Sequence, residues 1–125
     1  GLVVFIGFSP RRGIPLMVHA SAARAALENL ASGLANEWSR HRIRAVCVAT
    51  GAIDTDAFRA YGDAFVEEAT RMAPLGRIAS PEEVASVIAF LSSPGGAYIT
   101  GTTVVVDGGN DAWGLGFPPP QPAQS

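Results

Sequence analysis

The side chains that could do chemistry are few, and they gather around one stretch, residues 13–55. His19 carries an imidazole that could in principle pass a proton; the plainer reading is a histidine hydrogen-bonded at the start of a helix. Ser9, Ser21 and Tyr61 carry hydroxyls able to donate, with Ser21 read first as a helix cap. Asp107 precedes two glycines at the end of a short apolar run, where an aspartate orders a turn more readily than it reacts. Cys47 is the single cysteine; inside an apolar run it is expected to be an inert core thiol. The loop from Thr50 to Thr55 is the place for a ligand if the strand before it belongs to an open parallel sheet.

The elements that would position these groups follow from hydrophobic pattern. Leu2 to Ile6 is a short apolar run bounded by a glycine, read as a buried strand. Residues 7–13 (GFSPRRG) are turn chemistry. A long helix from Ala20 to Arg40 carries Ala23, Ala26, Leu27, Leu30, Leu34 and Trp38 at three- and four-residue spacings, which predicts one continuous apolar face. Small residues fill its first two turns and would let a backbone or a flat ligand approach. Arg40, His41 and Arg42 then stand at the negative end of its dipole. Ile43 to Ala49 reads as a central parallel strand, apolar on both faces except at Arg44.

Residues 56–72 have a helical period broken at Gly62. Phe58, Tyr61 and Phe65 there could line an acyl pocket, although burial in the core is the stronger expectation. Ser80-Pro81-Glu82-Glu83 is a helix start with a capping box, opening a helix from Pro81 to Leu91. Thr102 to Asp107 is a last β-branched strand. The order β, α, β, then helices, then β predicts an α/β fold: a Rossmann-type doubly wound parallel sheet of about three strands, with right-handed crossovers. One domain over residues 1–109 is expected, with residues 110–125 a proline-rich, disordered tail.

Composition narrows the function. With 125 residues, 48% hydrophobic and 16% charged, the chain is globular. A net charge of -2 supplies no basic footprint for nucleic acid or an anionic membrane. No apolar run has the length of a membrane span, and a cytoplasmic location is the default expectation.

Five ordered motifs resemble the short-chain dehydrogenase/reductase family. Leu2 to Ile6 resembles its fifth strand, and Ala20 to Arg40 the helix that bears its active-site lysine. Ile43 to Thr55 is similar to the IRVNxVAPGxIxT segment. Residues 74–84 are similar to PLGRxxxPEEVA, and residues 98–109 to YITGxxxxVDGG. Within the family, IPLMVHASAARAALENL resembles the peroxisomal trans-2-enoyl-CoA reductases and their 2,4-dienoyl-CoA reductase relatives.

The resemblance implies a reductase using NAD or NADP on a small-molecule carbonyl or acyl-CoA substrate. It implies a homo-oligomer built through the helix 20–40. It also implies that this chain is the C-terminal portion of such a fold, without the glycine-rich loop that binds the cofactor's phosphates. By register with the family, Gly51, Ile53 and Thr55 stand at the cofactor loop: Ile53 through its backbone, Thr55 through its hydroxyl. Thr50 replaces the usual proline.

The catalytic tyrosine position holds Ala20, the lysine position Arg24, and the serine position Phe8, with Ser9 beside it. Arginine stays charged and can still donate to a nicotinamide ribose, which makes Arg24 the catalytic candidate, but it cannot replace the tyrosine's proton. Two readings stay open: an NAD(P)-dependent oxidoreductase acting on an enoyl-CoA-like substrate, and a catalytically inactive remnant serving as an interaction or oligomerisation module.

Overall fold

The structure is a computed structural model and describes residues 1–113. Three parallel strands, β1 (Leu2–Phe8), β2 (Arg44–Thr50) and β3 (Thr103–Val106), pair in the order β1-β2-β3. β2 is the central strand, as its unbroken apolar run requires. Its register sets Val4 beside Val46, Phe5 beside Cys47, and Val48 beside Val104.

Between β1 and β2 runs α1 (Val18–Glu37), followed by a 3-10 turn at Ser39–His41. After β2 come α2 (Asp56–Arg59), α3 (Asp63–Met72) and α4 (Pro81–Ser92), with a second 3-10 turn at Pro94–Gly96. A single helical turn, α5 (Asn110–Trp113), follows β3. The remainder of the predicted tail, Pro118-Pro119-Pro120 included, lies outside the described residues. No helix among those described is long and apolar enough to cross a membrane.

Side-chain alternation along β2 sorts the two layers. Val46 and Val48 form the core with Val84 and Leu91 of α4, and Leu2, Val4, Val87, Ile88, Val104 and Val106 pack around them. Ala45, Cys47 and Ala49 point the other way, toward α1, whose Ala31 and Ala35 are buried. Small residues on both sides bring helix and strand close together. Gly7 is part of this approach: a Cβ there would stand 2.9 Å from the Cys47 sulfur. β1 therefore continues through Gly7 and Phe8, two residues beyond the predicted strand end at Ile6.

The sheet-facing side of α1 differs from the predicted one. Ala31 and Ala35 are buried, and Leu27, Leu34 and Trp38 are partly so, but Ala23, Ala26 and Leu30 are exposed. An alanine-rich helix has little contrast between its faces, so spacing alone could not fix the rotation. Ser21 is not the cap either. The N-cap is Met17, without a side-chain hydrogen bond, and Ser21 lies inside the first turn. The helix ends at Glu37, so Arg40 and His41 lie in the 3-10 turn, and Arg42 takes a left-handed conformation with φ 55°.

α4 begins as its sequence demands. Ser80 accepts from the Glu83 N–H, and the Glu83 carboxylate accepts from the Ser80 N–H at 2.9 Å. Its far end is held by Arg44, the one charge on β2. The guanidinium donates to the carbonyls of Leu91 (2.7 Å), Gly96 (2.9 Å) and Ile99 (3.0 Å). The Leu91 carbonyl is one that the helix end cannot satisfy itself.

Cys47 is fully buried, and that burial, with the charge of Glu28, raises its thiol above the ordinary range. The nucleophilic thiolate is correspondingly scarce. A thiol-specific disulfide reagent should leave Cys47 untouched in the folded protein and modify it on addition of denaturant. Rapid labelling without denaturant would mean that the central strand opens.

Candidate functional site

The strands' C-terminal ends converge on a cavity of about 490 Å³, lined by Phe8 and Ser9 at the end of β1, Thr50 to Ala52 at the end of β2, and Val106 to Gly108 at the end of β3. That volume suits a small organic ligand. The opposite wall comes from α2, α3 and the link between them through Phe58, Tyr61, Phe65, Ala69 and Met72, and residues 14–17 close another side.

Gly51 is required here by contact. A Cβ on it would meet the Asp107 Cα at 2.9 Å and the Asp107 carbonyl oxygen at 3.2 Å. Its N–H donates to the Val106 carbonyl at 2.9 Å, so the loops after β2 and β3 lie directly on each other.

Asp107 is the hub of this floor. Its carboxylate accepts from the Ser9 hydroxyl, from the Gly109 N–H at 2.8 Å and from the Asp111 N–H at 2.7 Å. The turn-ordering role expected of Asp107 is present, and the bond to Ser9 adds a tie across the sheet. Ser9's proton is thereby committed to Asp107, and what its oxygen retains for the cavity is acceptor capacity. Further ties run in parallel. Arg11 N–H donates to the Asp111 carboxylate at 2.8 Å, Arg12 donates to the Asp111 carbonyl, and Arg11 Nε meets Glu28 at 2.8 Å.

The sequence-nominated residues fall as follows. Gly51 lines the cavity. Ile53 lies just beyond it: its side chain packs on the core, its carbonyl accepts from the Thr55 N–H at 2.9 Å, and its own N–H has no acceptor among the described residues. Thr55 caps α2, its Oγ1 accepting from the Phe58 N–H at 3.2 Å, which leaves the hydroxyl proton for an outside acceptor. The strand-end loop thus offers one backbone N–H and one hydroxyl to a ligand.

Arg24 is off the cavity. Its guanidinium donates to the Ile6 carbonyl at 2.8 Å and sits 5.0 Å above the Phe8 ring, on the edge of β1 that faces away from β2. Arg24 therefore reaches the cavity only through Phe8. His19 is exposed on α1. Tyr61 lines the cavity, whereas Ser21 does not.

The expectation that Phe58, Tyr61 and Phe65 are core residues is corrected. Their rings pack on one another at 5.1–6.4 Å between centroids, yet Tyr61 and Phe65 are exposed. α3 is strongly amphipathic, and its apolar side faces the cavity instead of the core.

Arg77 and Glu83 stand at the rim as a two-point ion pair, 2.7 Å at each contact. Arg77 first, and the Ser80 N–H second, pull the Glu83 carboxyl from its ordinary 4.5 down to about 2. A depressed carboxylate contributes stability that is whole above the unfolded value and is lost as pH falls through the folded one. The melting temperature of Glu83→Gln should therefore lie below that of the parent above about pH 5, and the two curves should converge as pH approaches 2. A constant offset down to that pH would mean that the carboxylate's charge plays no part.

Comparison with known proteins decides the family. A profile described as Enoyl-(Acyl carrier protein) reductase matches residues 1–111. The chain belongs to the short-chain dehydrogenase/reductase family. Among curated members of this oxidoreductase family, it is 45% identical over 100 residues to a tropinone reductase homolog of Arabidopsis thaliana, covering 79% of this chain and 38% of that protein. It is 41% identical over 106 residues to the peroxisomal 2,4-dienoyl-CoA reductase of Saccharomyces cerevisiae, covering 83% and 36%. Among solved structures, the angucycline C-6 ketoreductase with bound NADP superposes with a TM-score of 0.82 at 26% identity, over 90% of this chain and 44% of that one. The chain spans less than half the length of these three relatives.

Proposed function

We propose that this chain forms the substrate side of an NAD(P)-dependent oxidoreductase that reduces an acyl-type substrate, an enoyl thioester in particular. The observation that carries the reading is the cavity wall. It is mostly apolar, with the uncharged Ser9, Thr50, Tyr61 and Asn110 and four charged side chains, and each of the four is already engaged within the protein: Glu68 with Arg71, Arg77 with Glu83, and Asp107 with Ser9 and two backbone N–H groups. A cationic amine would find no free carboxylate there, whereas the hydrocarbon part of an acyl group enters without burying a charge.

The bound nicotinamide would supply hydride. The Ile53 N–H and the Thr55 hydroxyl would hold its carboxamide end, and Gly51 lets that loop lie flat on Asp107. These residues fit the nicotinamide half only; no group in this chain is assigned to the phosphates. Arg24 acts as a positioning residue, fixing Phe8 at the cavity edge. With alanine at position 20, no tyrosine proton is delivered from the helix, a loss that an alkene conjugated to a thioester tolerates better than a ketone does.

We further infer self-association through the outer side of the helix 20–40. Leu30 is exposed there, and Gly33 has open space around it. That face, together with Ala20, is what would remain if the chain were an inactive oligomerisation module.

Titration of the full chain with NADH and NADPH, following cofactor fluorescence and the thermal melt together, separates the two. Saturable binding with a raised melting temperature, followed by trans-2-enoyl-CoA-dependent loss of reduced-cofactor absorbance, supports the reductase. A cooperative melt that neither cofactor shifts overturns it in favour of the module.

A further inference from the structure

We propose that the Thr50 hydroxyl is a ligand-binding group, donating a hydrogen bond to an uncharged carbonyl oxygen held at the cavity floor. On the acyl reading above, that oxygen is the thioester's; the proposal rests on that reading only for which carbonyl it is.

Thr50 ends β2, and the sheet register sets it between Phe8 and Val106. Residues directly opposite each other in a sheet present their side chains to the same face. Val106 packs against the core of Val46, Val48 and α4, so the Thr50 side chain lies on that face too. Phe8, Thr50 and Val106 thus make the last rung of the sheet on the α4 side, and all three line the cavity. The rung is apolar but for one hydroxyl.

That hydroxyl is uncommitted. Thr50 is only 5% exposed, and its side chain has no hydrogen-bond partner among the described residues. Its carbonyl, by contrast, accepts from the Ser9 N–H at 2.9 Å. Among the described residues no side-chain nitrogen or oxygen sealed from solvent lacks a partner. The Thr50 oxygen therefore keeps access to open space, and the space that Thr50 borders is the cavity. A polar group set so deep, without a protein partner, is completed by water or by a ligand.

The neighbouring groups decide what it gives. Of the other strand-end residues on the cavity, Ser9 and Asp107 alone have polar side chains, and they bond to each other. Ser9 has committed its proton there, and the Asp107 carboxylate accepts three hydrogen bonds. Thr50 therefore holds the floor's one uncommitted side-chain proton. Tyr61 and Asn110 also carry donors, but Tyr61 lies on the opposite wall and Asn110 beyond β3, at the start of α5. Acceptor capacity is already present beside Thr50, on Ser9, so a donor is what Thr50 adds. A carbonyl oxygen, which only accepts, matches that proton and needs no counter-charge. A ligand that covered the rung with hydrocarbon alone would leave the hydroxyl stranded.

The test uses two ligands that differ in one group. Calorimetry of the full chain, without cofactor, compares butyryl-CoA with S-butyl-CoA, a thioether in which a methylene replaces the carbonyl. In the parent the thioester should bind about three- to tenfold more tightly. Thr50→Val replaces the hydroxyl by a methyl group at nearly constant shape and should erase that preference; Thr50→Ser should keep it. Valine suits a strand, and an unchanged cooperative melt verifies the fold of each variant.

No preference in the parent, or a preference that persists in Thr50→Val, overturns the proposal, while the binding itself leaves the acyl reading standing. If neither CoA compound binds, the acyl reading falls, and NADH is the probe that decides. An NADH affinity lowered in Thr50→Val and kept in Thr50→Ser assigns the oxygen to the nicotinamide carboxamide, and the proposal stands. An NADH affinity indifferent to both substitutions, or no NADH binding, overturns it.

Discussion

Leu91→Ala should cost about 2–5 kcal/mol of stability, the range for emptying a fully buried leucine site. Leu91 is the largest of the fully buried side chains, and it joins α4 to Val46 and Val48 on the central strand. Its carbonyl is also an acceptor of Arg44, so relaxation of the helix into the vacated space would strain that contact. Collapse is therefore restricted, which places the cost in the upper part of the range. The check is a urea titration in which the midpoint falls and the slope stays constant. Leu91→Met, which nearly conserves volume, should cost less than about 1.5 kcal/mol. Equal losses for the two variants would show that volume at this site is not what matters.

Gly51→Ala should have the largest effect on the site itself. The new methyl group meets backbone atoms of Asp107 and not a flexible side chain. The loops after β2 and β3 must then separate, at about 1–3 kcal/mol for overpacking. Separation moves Asp107 away from Ser9 and displaces Ile53 and Thr55 together, so affinity for NADH or NADPH and for acyl-CoA should fall at least tenfold. Gly33→Ala is the comparison: nothing lies within 4 Å of its added methyl group, and alanine in mid-helix should gain about 0.5–1 kcal/mol. Fluorescence titration beside the melt measures both consequences. An unweakened ligand affinity in Gly51→Ala would remove the strand-end loop from the binding site.

Local features were legible in the sequence wherever a few neighbouring residues decide them. The Ser80–Glu83 capping box is complete within four residues, and the central strand's apolar run admits no partner-exposed face. Family motifs carried the parallel order of the strands. What escaped was decided across the chain. Arg44 looked like an anomaly in β2 until three carbonyls from residues 91–99 were seen around it. The rotation of α1 was invisible because alanine on either face fits the pattern equally well. Phe58, Tyr61 and Phe65 have the composition of a core, and only the placement of α2 and α3 shows that their rings face a cavity instead. Arg24 kept the charge of the family's lysine, but the Ile6 carbonyl that holds it lies on another element.

The ties from Ser9 and Arg11 to Asp107 and Asp111 join residues 98 and 100 positions apart. During synthesis, β1, α1 and β2 can associate while the rest of the chain is still being made, since their contacts are close in sequence. The cavity floor cannot. It waits for residue 111 to leave the ribosome, and the loop after β1 meanwhile lacks its acceptors. In the finished protein the same ordering runs backwards: hydrogen exchange should release residues 9–12 and 107–111 together, as one cooperative unit of low stability, well before the amides of β2.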